Sequence, residues 1–323
     1  MYSDKAKRFK EYYDRIKISD GSISATMGMV YYILDGVTHH NTSYYMRFID
    51  RRLEHQIKPF ETNFHYDPQL FNQKVDFNNR MPIWVCWFQG YSEMPDLVKM
   101  CYKQLLSMVD ETCVVILLTK DNIEQYISFP ESVKSKIGKS YSLTNFSDLL
   151  RFSLIAQYGG LWIDSTVYVS QKINRNIIQN GFFSQKDSES EDAKYYASKH
   201  LWSSWLLGDK AGSLLFSYVS QAMEYYYENF QGPIDYYLCD YLFRNAINHF
   251  DEVRDSIGRL PDNNTGTFRL FDILNEEYNP SVLDDILSSN QFSKLSFKRK
   301  SVEEINGKRT NYSVLLKSVG DNI

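Results

Sequence analysis

Between residues 81 and 169, short apolar runs alternate with amphipathic stretches, and few folds accommodate that order. "MPIWVCWFQG" starts at Met81 and ends in a glycine turn, "CVVILLTKDN" starts at Cys113, and "LWIDSTVYVS" starts at Leu161. Such runs read as buried strands. Between them, "MPDLVKMCYKQLLSMV" and "NFSDLLRFSLIAQYGG" carry apolar residues at helical spacing, and "PESVKSKI" adds a shorter helix. Strand, helix, strand, helix, strand predicts an α/β sheet with crossover helices. Ligands of such sheets bind beyond the carboxyl ends of the strands. Trp87 and Gln89 after the first strand, and Asp164 at the third, are therefore candidate site residues.

Ahead of this region, "DKAKRFKEYYDRIK" and "SYYMRFIDRRLEHQI" have helical periodicity, so residues 1–78 read as a helical N-terminal segment and 79–323 as the α/β domain. His39 and His40 fall in a turn between these helices. Adjacent histidines point apart, which favours solvent-exposed loop residues over a metal pair. Beyond residue 180, "SQKDSESEDAKYY" reads as an exposed loop. Two further helices follow in "AGSLLFSYVSQAMEYYYENF" and "DYYLCDYLFRNAINHF", and the tail ends in short strand-like pieces.

Composition excludes some classes. A formal net charge of -4 gives no global basic field for nucleic acid. Basic residues do gather in "SDKAKRFKEYYDRIK" and "KLSFKRKSVEEINGKR", which suit either a solvated surface or contact with an anionic membrane face. Cys86, Cys101, Cys113 and Cys239 have neither CxxC nor metal spacing and read as reduced core thiols. With a charged N-terminus and no apolar run long enough to span a bilayer, the expectation is a cytoplasmic protein, peripheral to the membrane at most.

The most informative stretch is "FSDLLRFSLIAQYGGLWIDST", residues 146–166. Asp148 and Arg151 are three apart on a helix capped by Asn145 or Ser147, with Leu149, Leu150, Leu154 and Ile155 as its core face. An exposed pair of this kind contributes little. Gly159-Gly160 then ends the helix, and the strand that follows carries Asp164, which is costly to bury without a cation, hydroxyls or a metal. A short loop brings the three charges toward one crevice, where they could grip vicinal hydroxyls and a sugar-phosphate.

"DLLRFSLIAQYGGLWIDST", with "PIWVCWFQG" upstream, resembles the capsular polysaccharide synthesis family of bacterial glycosyltransferases, and more distantly the yeast initiating mannosyltransferases and the large clostridial glucosylating toxins. The resemblance covers roughly residues 80–250, with weaker echoes in "DYYLCDYLF" and "KLSFKRK". It implies a GT-A nucleotide-sugar (Rossmann-like) fold and transfer of a hexose, glucose or galactose, from a UDP-sugar with retention of configuration. The acceptor it implies is a lipid-linked saccharide of a capsular or exopolysaccharide.

Carried onto these residues, Asp148 and Arg151 would hold donor hydroxyls, and Asp164 would meet ribose, sugar or a metal-linked water. Trp87 would stack on uracil, and Lys298 would neutralise diphosphate unless it is simply a surface lysine. Trp84 stands where relatives carry histidine, and serves equally as a core aromatic. Asp235 and Asp240 are acceptor-side candidates or solvated helix positions. Relatives commonly end the aspartate motif with a second carboxylate for Mn2+ or Mg2+, whereas Asp164-Ser165-Thr166 offers a hydroxyl, a threonine that the nearest family also accepts. Either Asp164 and Thr166 hold the metal with help, or Lys and Arg groups replace it. The competing reading is a non-catalytic carbohydrate- or lipid-carrier-binding component of a capsule assembly complex. A phosphotransferase lacks its glycine-rich phosphate loop here.

Overall fold

The computed structural model describes residues 2–38, 43–68 and 75–320. His39 and His40 lie outside the described residues.

The N-terminal segment is helical, as its periodicity predicts. It comprises α1 (Tyr2–Thr38) and α2 (Ser43–Asn63). Gly21, at φ +84° and ψ +169°, is not helical and divides α1 into two halves. The halves fold back on each other, for the Tyr12 and Tyr32 ring centroids lie 5.3 Å apart, a separation that would be about 30 Å along one continuous helix. Gly28 sits at the crossing, where a Cβ would come within 2.7 Å of Ile16 and 2.9 Å of Phe48. Only glycine permits that approach.

The sheet contains β1 (Met81–Cys86), β2 (Cys113–Leu118), β3 (Gly160–Ile163), β5 (Phe183–Ser184) and β6 (Leu206–Asp209), in the order β2-β1-β3-β6-β5. β1 runs parallel to both β2 and β3, while β6 is antiparallel to β3 and to β5. Met81, Ile83 and Val85 project into one core layer with Leu161 and Ile163, whereas Trp84 and Trp162 project into the other. Burial on both faces is why these strands are apolar at every position.

Helix α3 (Asp96–Met108) connects β1 to β2, and α6 (Leu143–Tyr158) leads into β3, after the one-turn helices α4 (Ile123–Tyr126) and α5 (Glu131–Lys134). Helix α6 starts earlier than the sequence suggests. Ser142 caps it by accepting from the Asn145 backbone N–H, and the Asn145 side chain returns the bond, so Ser147 falls inside the helix. Gly159 and Gly160 both take positive φ, +69° and +95°. A Cβ on Gly160 would collide with the Pro82 carbonyl oxygen, which explains how β3 can lie so close beside β1.

"LWIDSTVYVS" is not one strand. It breaks at Asp164, and β4 (Val167–Val169) leaves the main sheet to pair antiparallel with β7 (Phe292–Lys294). Asp164 accepts from the Val167 N–H and donates its own N–H to Trp205, so the break is a hydrogen-bonded turn. Helices α7 (Leu214–Asn229) and α8 (Leu238–His249) pack beneath α6 and share a continuous core with α1 and α2. The chain continues through α9 (Asp251–Arg259), α10 (Arg269–Ile273), α11 (Pro280–Ser289), the hairpin β8 (Glu304–Ile305) with β9 (Lys308–Arg309), and α12 (Asn311–Ser318).

Candidate functional site

At the carboxyl end of β3, four elements deliver charge to one point. Helix α6 supplies Asp148 and Arg151, and the turn after β3 supplies Asp164. β7 brings Lys294, and α8 brings Asp240 beside the Cys239 thiol, which burial keeps neutral. Arg151 donates through Nη1 to Asp148 Oδ1 at 2.7 Å and through Nη2 to Asp164 Oδ1 at 3.1 Å. Its guanidinium also lies 5.0 Å from the centroid of the Trp162 ring. Trp162 Nε1 donates to Asp164 Oδ1 at 2.9 Å. On the other side, Lys294 Nζ donates to Asp164 Oδ2 at 2.7 Å and to Thr166 Oγ1 at 2.9 Å.

The Asp148–Arg151 pair is therefore not the exposed intrahelical bridge that spacing alone allows. Their side chains are 9% and 5% exposed, and removing one partner from such a pair leaves an uncompensated buried charge. Asp164 keeps 27% of its side-chain surface open and forms the accessible edge of the cluster.

Burial and charge set the protonation of these groups in opposite directions. Burial pushes the Asp148 carboxyl up to about 7, against the pull of Arg151 and with the repulsion of Asp240 and Asp164 added. Asp240 is pushed by burial up to about 6, although it accepts from Trp202 Nε1 at 2.7 Å and feels Arg151. Burial also acts on Asp164, but Lys294 and Arg151 overcome it and hold this carboxyl below the usual range. Two carboxyls that readily take a proton thus stand beside one that stays ionised.

Beside the cluster opens a cleft of about 510 Å³. Its wall includes Tyr196, Trp202, Trp205, Tyr237, Asp240 and Thr267, with Asp187, Glu191, Asp192 and Asp272 also facing it. The segment after residue 180 is thus more than an exposed loop, since it forms one side of this cleft. Trp205 connects cleft and cluster, with Lys294 Nζ 5.8 Å from its ring centroid. Aromatic faces beside carboxylates suit a polyhydroxylated ligand, which offers C–H faces to the rings and hydroxyls to the oxygens.

The sequence candidates divide cleanly. Asp148, Arg151, Asp164 and Thr166 converge. Asp240 joins them, and it is buried at the cleft wall rather than solvated on a helix. Trp87 is half-buried against Phe297, ring centroids 5.4 Å apart, and its Nε1–H is buried without a partner. Gln89 is exposed in the turn just beyond.

Three candidates fall outside the cluster. Trp84 is fully buried among Phe77, Tyr126 and Tyr158, and its Nε1 donates to the Gly159 carbonyl at 3.0 Å, so it is a core residue with no face for a ligand. Asp235 is buried under the N-terminal helices, accepting from the Tyr45 hydroxyl and the Tyr237 N–H, where it joins α2 to the start of α8. Lys298 is exposed, and the lysine that reaches the cluster is Lys294, four residues earlier in the same "KLSFK". Only its neighbours in "FSK", an apolar and a small residue on a short strand, distinguish Lys294 in the sequence. All four cysteines are free, and burial pushes the Cys86 and Cys101 thiols up to about 12.

Asp164 and Thr166 are also the expected ligands of Mn2+ or Mg2+. Both Asp164 oxygens are already engaged with Arg151, Trp162 and Lys294, and the Thr166 hydroxyl accepts from the same ammonium. Among the described residues no three His, Cys, Asp or Glu side chains gather as metal ligands. Hard divalent ions require several free oxygen ligands, so the groups present do not fit one.

With this geometry in hand, comparison with known families is decisive. The family model of the capsular polysaccharide synthesis protein matches residues 31–314. The chain belongs to that family. No curated protein matches it. The capsular polysaccharide synthesis match runs from the second half of α1 to α12, so it takes in every element that contributes to the cluster and the cleft.

Proposed function

We propose that the chain is a glycosyltransferase of capsule biosynthesis that moves a hexose from a UDP-sugar to a growing, lipid-linked capsular or exopolysaccharide unit, with retention of configuration. The observation that carries this reading is the Lys294–Asp164–Arg151–Asp148 chain at the end of β3, beside an aromatic and acidic cleft that Asp240 and Trp205 line. The strand order β2-β1-β3-β6-β5, with antiparallel β6 beside the last parallel strand, supports a GT-A nucleotide-sugar fold.

In this reading the donor lies across the ends of β1 and β3. Trp87, braced edge-to-face by Phe297, offers its half-exposed ring to the base. Lys294 turns from Asp164 to the diphosphate and offsets the charge that develops as the sugar–phosphate bond breaks. This role requires a fixed cation near the leaving group. Arg151, held by Asp148 and stacked on Trp162, keeps Asp164 oriented toward the sugar hydroxyls. Asp240, at the cleft wall, accepts from an acceptor hydroxyl. The work of the site is positioning and leaving-group stabilisation, supplied by the chain's own cations.

Calorimetric titration of UDP, UDP-glucose and UDP-galactose in the presence of EDTA tests the reading, followed by measurement of UDP release from the sugar donors. Binding with slow UDP release is expected. Failure of all three to bind, with or without Mn2+, would rule out the donor site, and binding with no release in the presence of any saccharide acceptor would leave a carbohydrate-binding component.

A further inference from the structure

The second half of α1 has an unusual surface. Ile23, Met27, Val30, Ile33 and Val37 recur at helical spacing and all face solvent, with Ile23 81% and Val37 70% exposed. The opposite face is apolar too, since Ala25, Gly28 and Met29 are buried against the rest of the protein. From Ser22 to Val37 the single charged residue is Asp35, which is buried and accepts from the Tyr44 and Tyr45 N–H groups. A helix apolar on every side normally has every side covered.

The charges nearby indicate what covers it. Because the chain reverses at Gly21, the first half of α1 runs alongside this helix, as the Tyr12–Tyr32 contact shows, and α2 packs against both halves, as the Tyr31–Phe48 and Tyr12–Tyr45 contacts show. The first half exposes Lys7, Arg8, Lys10 and Lys17, and α2 exposes Arg47 and Arg51. Among the residues of these two flanking stretches whose side chains are described, the exposed acids are Glu11 and Glu54. An apolar stripe between basic margins complements an anionic bilayer, with the stripe among acyl chains and the cations at the headgroups. Pairing with a second copy would instead bring like-charged margins together across a two-fold axis.

We propose that this outer face of α1 seats the protein on an anionic lipid surface, with residues 22–37 lying in the plane of the interface. No described helix is long and apolar enough to cross a membrane, so the contact is with one leaflet. About 24 Å of helix is available for it.

Co-sedimentation of the full chain with phosphatidylcholine vesicles, with and without about 30% phosphatidylglycerol, tests the proposal. Recovery should be at least about tenfold greater on the anionic vesicles and should fall as salt is raised. Ile23→Asp/Val30→Asp should abolish it with an unchanged melting curve, since both side chains are exposed. Lys7→Glu/Lys10→Glu should remove the preference for anionic lipid and provides the test should the first variant fail to fold. The proposal is overturned if the wild type stays in the supernatant, if the variants sediment equally well, or if lipid-free protein is a dimer that Ile23→Asp/Val30→Asp dissociates.

Discussion

Replacing Lys294 with methionine removes the ammonium that bridges Asp164 and Thr166 while keeping most of the side-chain volume. Two hydrogen bonds are lost, at 2.7 and 2.9 Å, one of them to a carboxylate. Lys294 is about one-fifth exposed and Asp164 about one-quarter, so solvent screens the pair only in part. A charge-assisted bond of this kind contributes about 1.5–3 kcal/mol. The variant should therefore unfold at a Tm lower by roughly 2–5 °C. Lys298→Met, on the exposed stretch four residues away, should stay within about 0.5 kcal/mol of wild type.

The pH dependence sharpens the test. Asp164 has a folded-state pKa below the unfolded value, so the stability it contributes is present above the unfolded value near 4 and lost as the pH falls through the folded one. Without Lys294 that depression shrinks, so the deficit of the variant should be largest near neutral pH and should narrow under acid. UDP affinity in EDTA should fall by about 10–100-fold, the effect of losing one charged contact to the diphosphate. Differential scanning calorimetry from pH 3 to pH 7, approximately the range over which carboxylates titrate, and UDP titration of both variants provide the readouts. Equal behaviour of the Lys294 and Lys298 variants would refute the assignment, and so would undiminished UDP binding by Lys294→Met.

Other outcomes follow from the same geometry. Asp148, buried and raised to about 7, holds its proton in the folded state after the unfolded chain has released it, so its contribution to stability declines as the pH rises from about 4 toward 7. The slope is at most about 1.4 kcal/mol per pH unit, and urea titrations of Asp148→Asn should show it removed. Trp84→Ala should cost about 3–5 kcal/mol of stability as a core truncation, whereas Trp87→Ala should melt nearly as wild type and weaken UDP binding by about 1–3 kcal/mol. Chemical denaturation and calorimetry separate those two effects. Gly160→Ala, which sets a Cβ against the Pro82 carbonyl at φ +95°, should fail to accumulate as folded protein, while Gly258→Ala, in open space on α9, should be stabilised by up to about 1 kcal/mol.

What the sequence settles by itself is what local period and local sterics can express. The strands at Met81 and Cys113 are legible as short, continuous apolar runs closed by turn residues, and the helix before Gly159-Gly160 as a longer apolar stretch with a glycine stop, whatever the partner. Asp148 and Arg151 stand out because an acid and a base one turn apart in an apolar helix are costly to bury unless they meet. That Asp164 needs a cation is also legible, from the same cost.

Which cation it meets is not. Lys294 reaches Asp164 across 130 residues of chain, and its short "FSK" strand does not reveal that partner until β4 leaves the sheet at Asp164 and pairs with β7. Trp84 and Trp87 are three residues apart on the same run, yet the pleat of β1 buries the first between layers while the second, just past the end of the strand, stays half-exposed against Phe297. The fold-back at Gly21 is equally silent, because a helical period continues on both sides of it while the chain direction reverses. Periodicity records that a side chain is buried, but the partner it is buried against depends on the path of the whole chain, and that is decided only when the layers pack.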